Sequence, residues 1–560
     1  MLAVGRPLLG CNVPMILVVL FAIGFVVRAA VGTAFAGPAY PDSYYYVNVA
    51  QSLAAGHGFS VNYIWNFVDV GGVLPALPTL PIPSNAHWMP LAALVQVPFI
   101  WLLGPTWLAS ELPMWIIGAL AVPLTYLIAR EVGLNTRLAV CAALMAAVPG
   151  ALTVFFGQPD NFGLFMTLGA LALWLCARGL RGDRRAFAIG GLIVGLATLA
   201  RTDGVLLGVP FALAFARELW VGRRVPSARV IGWIAALACV GLFLVVVGPW
   251  FYRQLEVFGS LSPSAANGRI LWISDYNQLY SIGAPATPAT LLSGGVGALI
   301  ASRLGGLLSA LGLFAFLPLV VVLVPFFGAG AWARRRDYRF APFFTYAIVL
   351  FAASGLVFAV HVPHGTFIHS AVALLPHTFV LVVVGIGAVV GWVAKRRPWD
   401  VSRATGMFAA GAVAIAVLGA LVYGGSTIGQ WQDVRSVQAQ LATALDAQSA
   451  SGDVVMSADA GAYDFLAQRS GIVTPYDDLD TIEGALRAYN VRWLVLEKAQ
   501  IVPALQPILT GSLQPTWLSR PVAVVAGPPA VLATSATASS PVPAGAVYAV
   551  CFVPTDTRCQ

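Results

Sequence analysis

The feature that most limits what this chain can fold into is a series of long apolar runs. They fall at 14–35, 107–130, 138–156, 162–180, 186–201, 204–220, 230–252, 305–331, 340–361, 371–394 and 404–424. Each is near the roughly 20 residues that cross a bilayer as a helix. Of the 560 residues, 59% are hydrophobic and 10% charged. Soluble domains carry about 25% charged residues, so a soluble fold of this composition would have no polar surface to show water. The expected fold class is a polytopic α-helical membrane protein of about eleven spans.

The formal net charge of +8 raises nucleic acid as a partner, but the arginines sit in short loops between apolar runs, as membrane topology places them. Nucleic acid is therefore not expected, and membrane lipids are. Trp88 to Leu103 is apolar but short, and Pro90, Pro98 and Gly104-Pro105 punctuate it. It reads as a re-entrant or interfacial helix. With the N-terminus in the cytoplasm, Arg181, Arg184, Arg185, Arg334, Arg335, Arg336, Lys395 and Arg396 then fall inside. Arg28, Arg201, Arg253, Arg269 and Arg303 fall at or beyond the outer boundary. Counting 88–104 as a full span would invert everything after it, against the positive-inside rule. The expected location is the cytoplasmic membrane, with the C-terminus extracytoplasmic.

This order makes 1–424 a transmembrane domain, with a first outer loop at 36–106 and a second long one at 253–304. From 425 to 560 the composition changes. Val454-Val455-Met456, Ile472-Val473 and Trp493 to Leu496 read as strands. Ala460 to Gln468 and Thr481 to Tyr489 read as helices between them. A small extracytoplasmic α/β domain with a mainly parallel sheet is expected. Residues 527–545 read as a Pro-, Ala-, Ser- and Thr-rich loop before a last strand, Val547 to Val553. Cys551 and Cys559 are set apart in this polar tail and are expected to pair there.

Polar groups kept near the outer boundary are functional candidates, because they are costly at membrane depth. Asp42 opens Asp42-Ser43-Tyr44-Tyr45-Tyr46 and has a plain alternative as a helix N-cap. Asp160, in Gln158-Pro159-Asp160-Asn161, has the same alternative. Arg201 and Asp203 share a third outer turn, and their plain alternative is a simple ion pair. His361, His364 and His369 lie in one outer loop, in a spacing that matches no tight metal motif. They suit hydrogen bonds to a phosphate or sugar better than a metal. No cofactor is expected; a divalent metal is permitted but not indicated. No nucleotide-binding glycine motif occurs in a strand–helix setting.

Taken in order, these strings resemble the GT-C superfamily of membrane glycosyltransferases. The likeness is to its protein O-mannosyltransferase-like and aminoarabinose-transferase-like branch. The residues that carry it are Asp42 to Tyr46, then Ala50-Gln51-Ser52-Leu53-Ala54-Ala55-Gly56-His57-Gly58-Phe59, and Met89-Pro90-Leu91. Ala129-Arg130-Glu131-Val132-Gly133, Pro159-Asp160 and Arg201-Thr202-Asp203-Gly204 complete the set. Ser43 stands where some members have a second acidic residue, so a paired-carboxylate base is not implied.

The resemblance implies inverting transfer of a sugar from a polyprenyl-phosphate donor to an acceptor hydroxyl on a glycan, protein or lipid. Phosphate leaves without a general acid, and one carboxylate deprotonates the acceptor. Asp42 and Asp160 are the implied catalytic residues, Asp42 as base and Asp160 in orientation. Tyr45, His87, Arg201, Asp203, Arg253, Arg269, Arg303, His364 and His369 are the substrate-binding candidates. The arginines and histidines would serve the departing phosphate. A transporter or lipid flippase would also explain the spans, but not a long first outer segment or an outer α/β domain; a non-catalytic envelope assembly protein, its C-terminal domain binding a partner, is the second alternative. The arginine asymmetry yields a test. A reporter active only in the cytoplasm, fused after Gln560, should stay silent; a strong signal would overturn the topology.

Overall fold

A computed structural model describes residues 13–76, 78–224, 230–262, 267–284, 286–527 and 542–552. The chain forms two compact units, each built from three stretches of sequence. The first comprises Met1–Ala36, Trp88–Pro263 and Ile300–Thr427. The second comprises Gly37–His87, Ser264–Leu299 and Ile428–Gln560. The expected cut at 424/425 is therefore drawn differently: most of 36–106 and of 253–304 belongs with the C-terminal region.

Among the described residues, nine helices are long and apolar enough to cross a membrane. They are Val13–Gly32, Trp107–Glu131, Phe162–Gly179, Thr202–Arg223, Trp233–Phe258, Gly295–Phe316, Tyr338–Val357, Thr366–Ala394 and Val401–Gln448. The pair Thr136–Ala147 and Gly150–Gly157, bent by 57°, makes a tenth if it is one span. The bend falls at Pro149-Gly150, where Gly150 takes φ +58°. Arg184–Ala200, with 17 residues, is at the lower limit of spanning length. The expected eleven are thus nine or ten, because one run is bent and one is short. The expected run 305–331 is also divided, into Gly295–Phe316 and Val324–Arg334. Val320 and Val321 between them adopt left-handed backbone, a costly conformation for β-branched residues. Leu91–Leu94 and Val97–Leu103 remain short helices, in line with their prolines.

Small residues set the closest packing in this unit. A Cβ at Gly330 would lie 1.9 Å from the Leu381 carbonyl oxygen, and one at Gly385 1.8 Å from that of Phe326. Helices Val324–Arg334 and Leu375–Ala394 therefore meet backbone to backbone. At one end of the unit, the buried Glu218 carboxylate accepts the backbone N–H groups of Val230, Ile231 and Gly232 at 2.6–2.9 Å. These donors lie just ahead of helix Trp233–Phe258, whose N-cap is Gly232.

The second unit is built on a six-stranded sheet. Its strands, with a small pair before them, are β1 (Ser60–Val61), β2 (Tyr63–Ile64), β3 (Ile82–Pro83), β4 (Val454–Ser457), β5 (Gly471–Val473), β6 (Val491–Glu497), β7 (Leu518–Val525) and β8 (Gly545–Val550). β1 pairs with β3; the large sheet runs β2-β5-β4-β6-β8-β7. Its first four strands are parallel, and β8 and β7 are antiparallel. Alternation along the strands sorts the core into two faces. Met456, Leu494, Leu496, Tyr548 and Val550 pack with Ile482, Leu486 and Phe67 on one side. Val455, Trp493, Val495, Val547 and Ala549 pack with Leu441 and Leu445 on the other. Burial on both faces explains why β6 and β8 are apolar throughout.

Asp477 ties the middle stretch to this sheet. Its carboxylate accepts the Ser281 hydroxyl at 2.5 Å and the Ile282 and Gly283 N–H groups at 2.8 and 3.3 Å. Cys551 is disulfide-bonded, while Cys559 and most of 527–545 lie outside the described residues. Cys141, Cys176 and Cys239 are free thiols within the apolar helices.

Two acids are buried beside the sheet. Glu497 accepts the Tyr463 hydroxyl at 3.0 Å, and Asp459 accepts the Ala462 N–H at 3.2 Å. Burial pushes both carboxyls up to about 7, and the Asp459 charge adds to the effect at Glu497. In the unfolded chain they titrate near 4, so the fold holds protons that the unfolded chain has lost. Their contribution is full below that value and disappears as pH rises through about 7. The unfolding midpoint should thus be higher at about pH 5 than at about pH 8. Glu497→Gln should flatten that dependence in a thermal scan of the full chain; an unchanged slope would refute the assignment.

Candidate active site

Candidate residues occur in both units. In the second unit, Asp42 lies on helix Pro41–Ala54. Tyr40 occupies the N-cap, with extended backbone, and Pro41 begins the helix. Asp42 is thus the second helical residue, and its plain alternative as the cap does not hold. It remains in the first turn, where the helix dipole favours negative charge. The partly exposed carboxylate acts on two phenols. Burial pushes Tyr276 up to about 12, with the Asp42 charge adding to it; Tyr280 rises well above its ordinary value through burial first, then neighbouring Tyr276, with Asp42 adding less. Both phenols therefore stay protonated at neutral pH.

Aromatic rings continue this cluster. Trp65 stacks on His87 with centroids 5.4 Å apart, and Tyr280 lies 5.9 Å from Trp65. Arg269 rests against the Gly71-Gly72 turn, where a Cβ on Gly72 would sit 2.8 Å from its Nη1. Gly72 takes φ +72°, a second reason for glycine there. Tyr45 is 2% exposed. Its hydroxyl accepts the Asn85 N–H at 2.6 Å, so the structure places it in the packing of this unit.

In the first unit, three turns meet. Asp160 is fully buried, and its Oδ1 accepts the Asn161 N–H at 2.5 Å. The His369 ring stacks on Phe162 at 3.9 Å. Its Nδ1 lies 3.0 Å from Asn161 Oδ1 and 3.9 Å from Asp160 Oδ2. Arg201 Nε donates to Asp203 Oδ1 at 3.0 Å and Nη2 to the Thr366 carbonyl at 3.2 Å. The Ser370 hydroxyl donates to Asp203 Oδ2. The ion pair that was the plain alternative for Arg201 and Asp203 is therefore formed, and the segment Thr366 to Ser370 is bonded to two turns at once.

The other candidates in this unit lie elsewhere along it. Arg303 donates to the Leu356 carbonyl at 3.2 Å and to Ser302. Arg253 stacks over Trp250 and Phe258, its neighbours on the same helix. His364 is exposed, while His361 is buried beside Phe358. Among the described residues, these two and His369 do not form a three-histidine metal set.

Residues 86–251 match the family of dolichyl-phosphate-mannose-protein mannosyltransferases. No curated protein matches the chain by sequence. ArnT from Cupriavidus metallidurans, solved with undecaprenyl phosphate, is similar over 96% of this chain and 98% of its own, at 15% identity and a TM-score of 0.53. Its apo structure gives 0.51 over the same shares. The fold is that of the GT-C glycosyltransferases. The oligosaccharyltransferase AglB from Archaeoglobus fulgidus, solved with an inhibitory peptide and a dolichol-phosphate, covers 87% of this chain and 70% of its own, at 14% identity and a TM-score of 0.45.

Within this GT-C fold, the mannosyltransferase match includes Asp160, Arg201 and Asp203, whereas Asp42 lies outside it. Sequence reasoning missed Asn161, Ser370, Tyr276, Tyr280 and Trp65. Asn161 was within reach, as the neighbour of Asp160 in a turn. Tyr276 and Tyr280 carried no signal, because nothing local links them to a helix more than 200 residues earlier.

Asp203 has two donors, so its removal should be felt. Hydrogen bonds to a charged group contribute about 1.5–3 kcal/mol. Asp203→Ala should lower the unfolding midpoint by a few degrees, and Ser370→Ala by less. Equal midpoints for wild type and Asp203→Ala would show that the bonds contribute nothing.

Proposed function

We propose that the chain transfers a sugar from a polyprenyl-phosphate donor to an acceptor hydroxyl, with inversion, at the outer face of the cytoplasmic membrane. The mannosyltransferase match over 86–251 supports the reaction class. The undecaprenyl phosphate bound to ArnT supports the donor class. The observation that carries the assignment of the base is the placement of Asp42. It is a partly exposed carboxylate in a helical first turn, two residues past the N-cap, and its charge reaches the phenols of Tyr276 and Tyr280.

In this reaction the acceptor oxygen attacks the anomeric carbon as its proton passes to Asp42. The bond from that carbon to the phosphate oxygen breaks on the opposite side, and polyprenyl phosphate leaves with the electron pair. The neutral phenols of Tyr276 and Tyr280 hydrogen-bond reacting oxygens without competing as bases. Arg269 is available to the departing phosphate from the same unit. Asp160, fixed by the Asn161 N–H and facing His369, has an orienting role. The chemistry itself calls for no metal, since phosphate is already a good leaving group.

Asp42→Asn tests the base. Loss of a first-turn charge costs only about 0.3–1 kcal/mol, so folding and donor binding should persist. General-base catalysis contributes about 10²–10⁴-fold, so turnover of a radiolabelled polyprenyl-phosphate sugar should fall by at least about a hundredfold. Near-full transfer by a normally folded Asp42→Asn protein would sink the assignment.

A further inference from the structure

The second unit holds a cleft of about 780 Å³ that the reaction above does not use. Its walls come from helix Pro41–Ala54, strand β1 with Asn62, and helix Ala460–Ala467 with Gln468. The size is in the range of small-molecule sites. We infer that this cleft binds a neutral carbohydrate, as a subsite for an acceptor glycan away from the reacting hydroxyl; its role as a subsite rests on the glycosyl-transfer reading.

The lining selects this class of ligand. Asn48, Gln51, Asn62 and Gln468 offer carboxamides, Ser52 and Ser60 hydroxyls, and Asp464 a single carboxylate. Neither lysine nor arginine lines it, and its one imidazole, His57, is offset by the Asp464 carboxylate, so the lining holds no fixed positive charge for phosphate or sulfate. One carboxylate is a poor cage for a cation, since calcium takes about six to eight oxygens. Paired donors and acceptors at short spacing suit the vicinal hydroxyls of a sugar, and Val61 and Pro81 offer apolar surface to its C–H face.

The walls are pre-organised. Asn48 donates to the Gly461 carbonyl at 2.9 Å, Ser52 and Ser60 share a hydrogen bond of 3.0 Å, and Asn62 donates to Asp464 at 3.4 Å. The side chains of Gln51 and Gln468 take no part in these bonds. Gln468 also has φ +52°, in left-handed backbone at the end of its helix. Glycine is the usual residue there, so a glutamine keeps its amide at a conformational cost.

The cleft is not the reacting centre. At 3.6 residues per turn, Gln51 is two and a half turns from Asp42, roughly 14 Å along the helix and on its opposite face. A glycan held here would contribute to affinity without touching the transferred sugar.

The test uses the full chain in lipid nanodiscs, with mannotetraose and maltotetraose as probes, inorganic phosphate as competitor, and binding read by calorimetry. At least one tetrasaccharide should bind, and phosphate should not compete. Gln468→Gly suits the left-handed backbone and so keeps the fold; it should weaken binding about three- to tenfold. Gln51→Trp, which fills the cleft, should weaken it further, and Asp42→Asn should leave it unchanged. Three results would overturn the site: no tetrasaccharide binding to wild type, undiminished binding to both glutamine variants, or displacement by phosphate. Oligosaccharide binding without any sugar transfer by wild type would instead fault the transferase reading and leave the carbohydrate site standing.

Discussion

A peptide group in hydrocarbon has no water to bond with, and the rest of this structure follows from that. Each long apolar stretch must close its own hydrogen bonds, and only a helix does so within one segment. Helices that share apolar flanks gain little by hiding them from lipid, so close contact depends on shape. That is why Gly330 and Gly385 oppose backbone carbonyls. Charged groups are driven to the ends of helices, where Glu218 meets three backbone donors and Asp203 meets Arg201 and Ser370.

The polar chemistry is sorted by the same constraint. The sheet and its buried acids belong to stretches of the chain outside the apolar runs. There the hydrophobic effect operates again, and an alternating pattern builds two cores on one sheet. Asp42 lies in one of these stretches and Asp160 in a turn between apolar helices. Neither place requires a carboxyl group in the middle of an apolar helix, where polar groups are costly.

Much of this was legible in the sequence. The apolar runs placed most helices within a few residues, and the prolines around Trp88 to Leu103 marked a segment that forms only two short helices. The strands at Val455, Ile472 and Trp493 were found because buried parallel strands are short and continuously apolar. What escaped notice depends on distant contacts. Tyr63-Ile64 is too short to look like a strand and becomes one only beside β5. Leu518–Val525 contains Pro521 and alternates weakly, and it lies at the edge of the sheet, where proline is tolerated. Of the candidate site, single residues were legible and partners were not: Asp160 was visible, while its neighbours His369 and Asn161 met through a fold that no local pattern encodes.

The pairing of β2 with β5 has a consequence in time. The two strands are separated by about 400 residues of chain, nearly all of the apolar helices among them. At roughly 5–20 residues per second, a ribosome needs roughly 20–80 seconds to supply the second strand after the first. Throughout that interval the segment from Gly37 to His87 has its apolar side chains made but their partners not yet synthesised. A chain arranged in this way is vulnerable to proteases and to premature association while it is being made, and its yield should depend on chaperones that shield an early segment for a late partner.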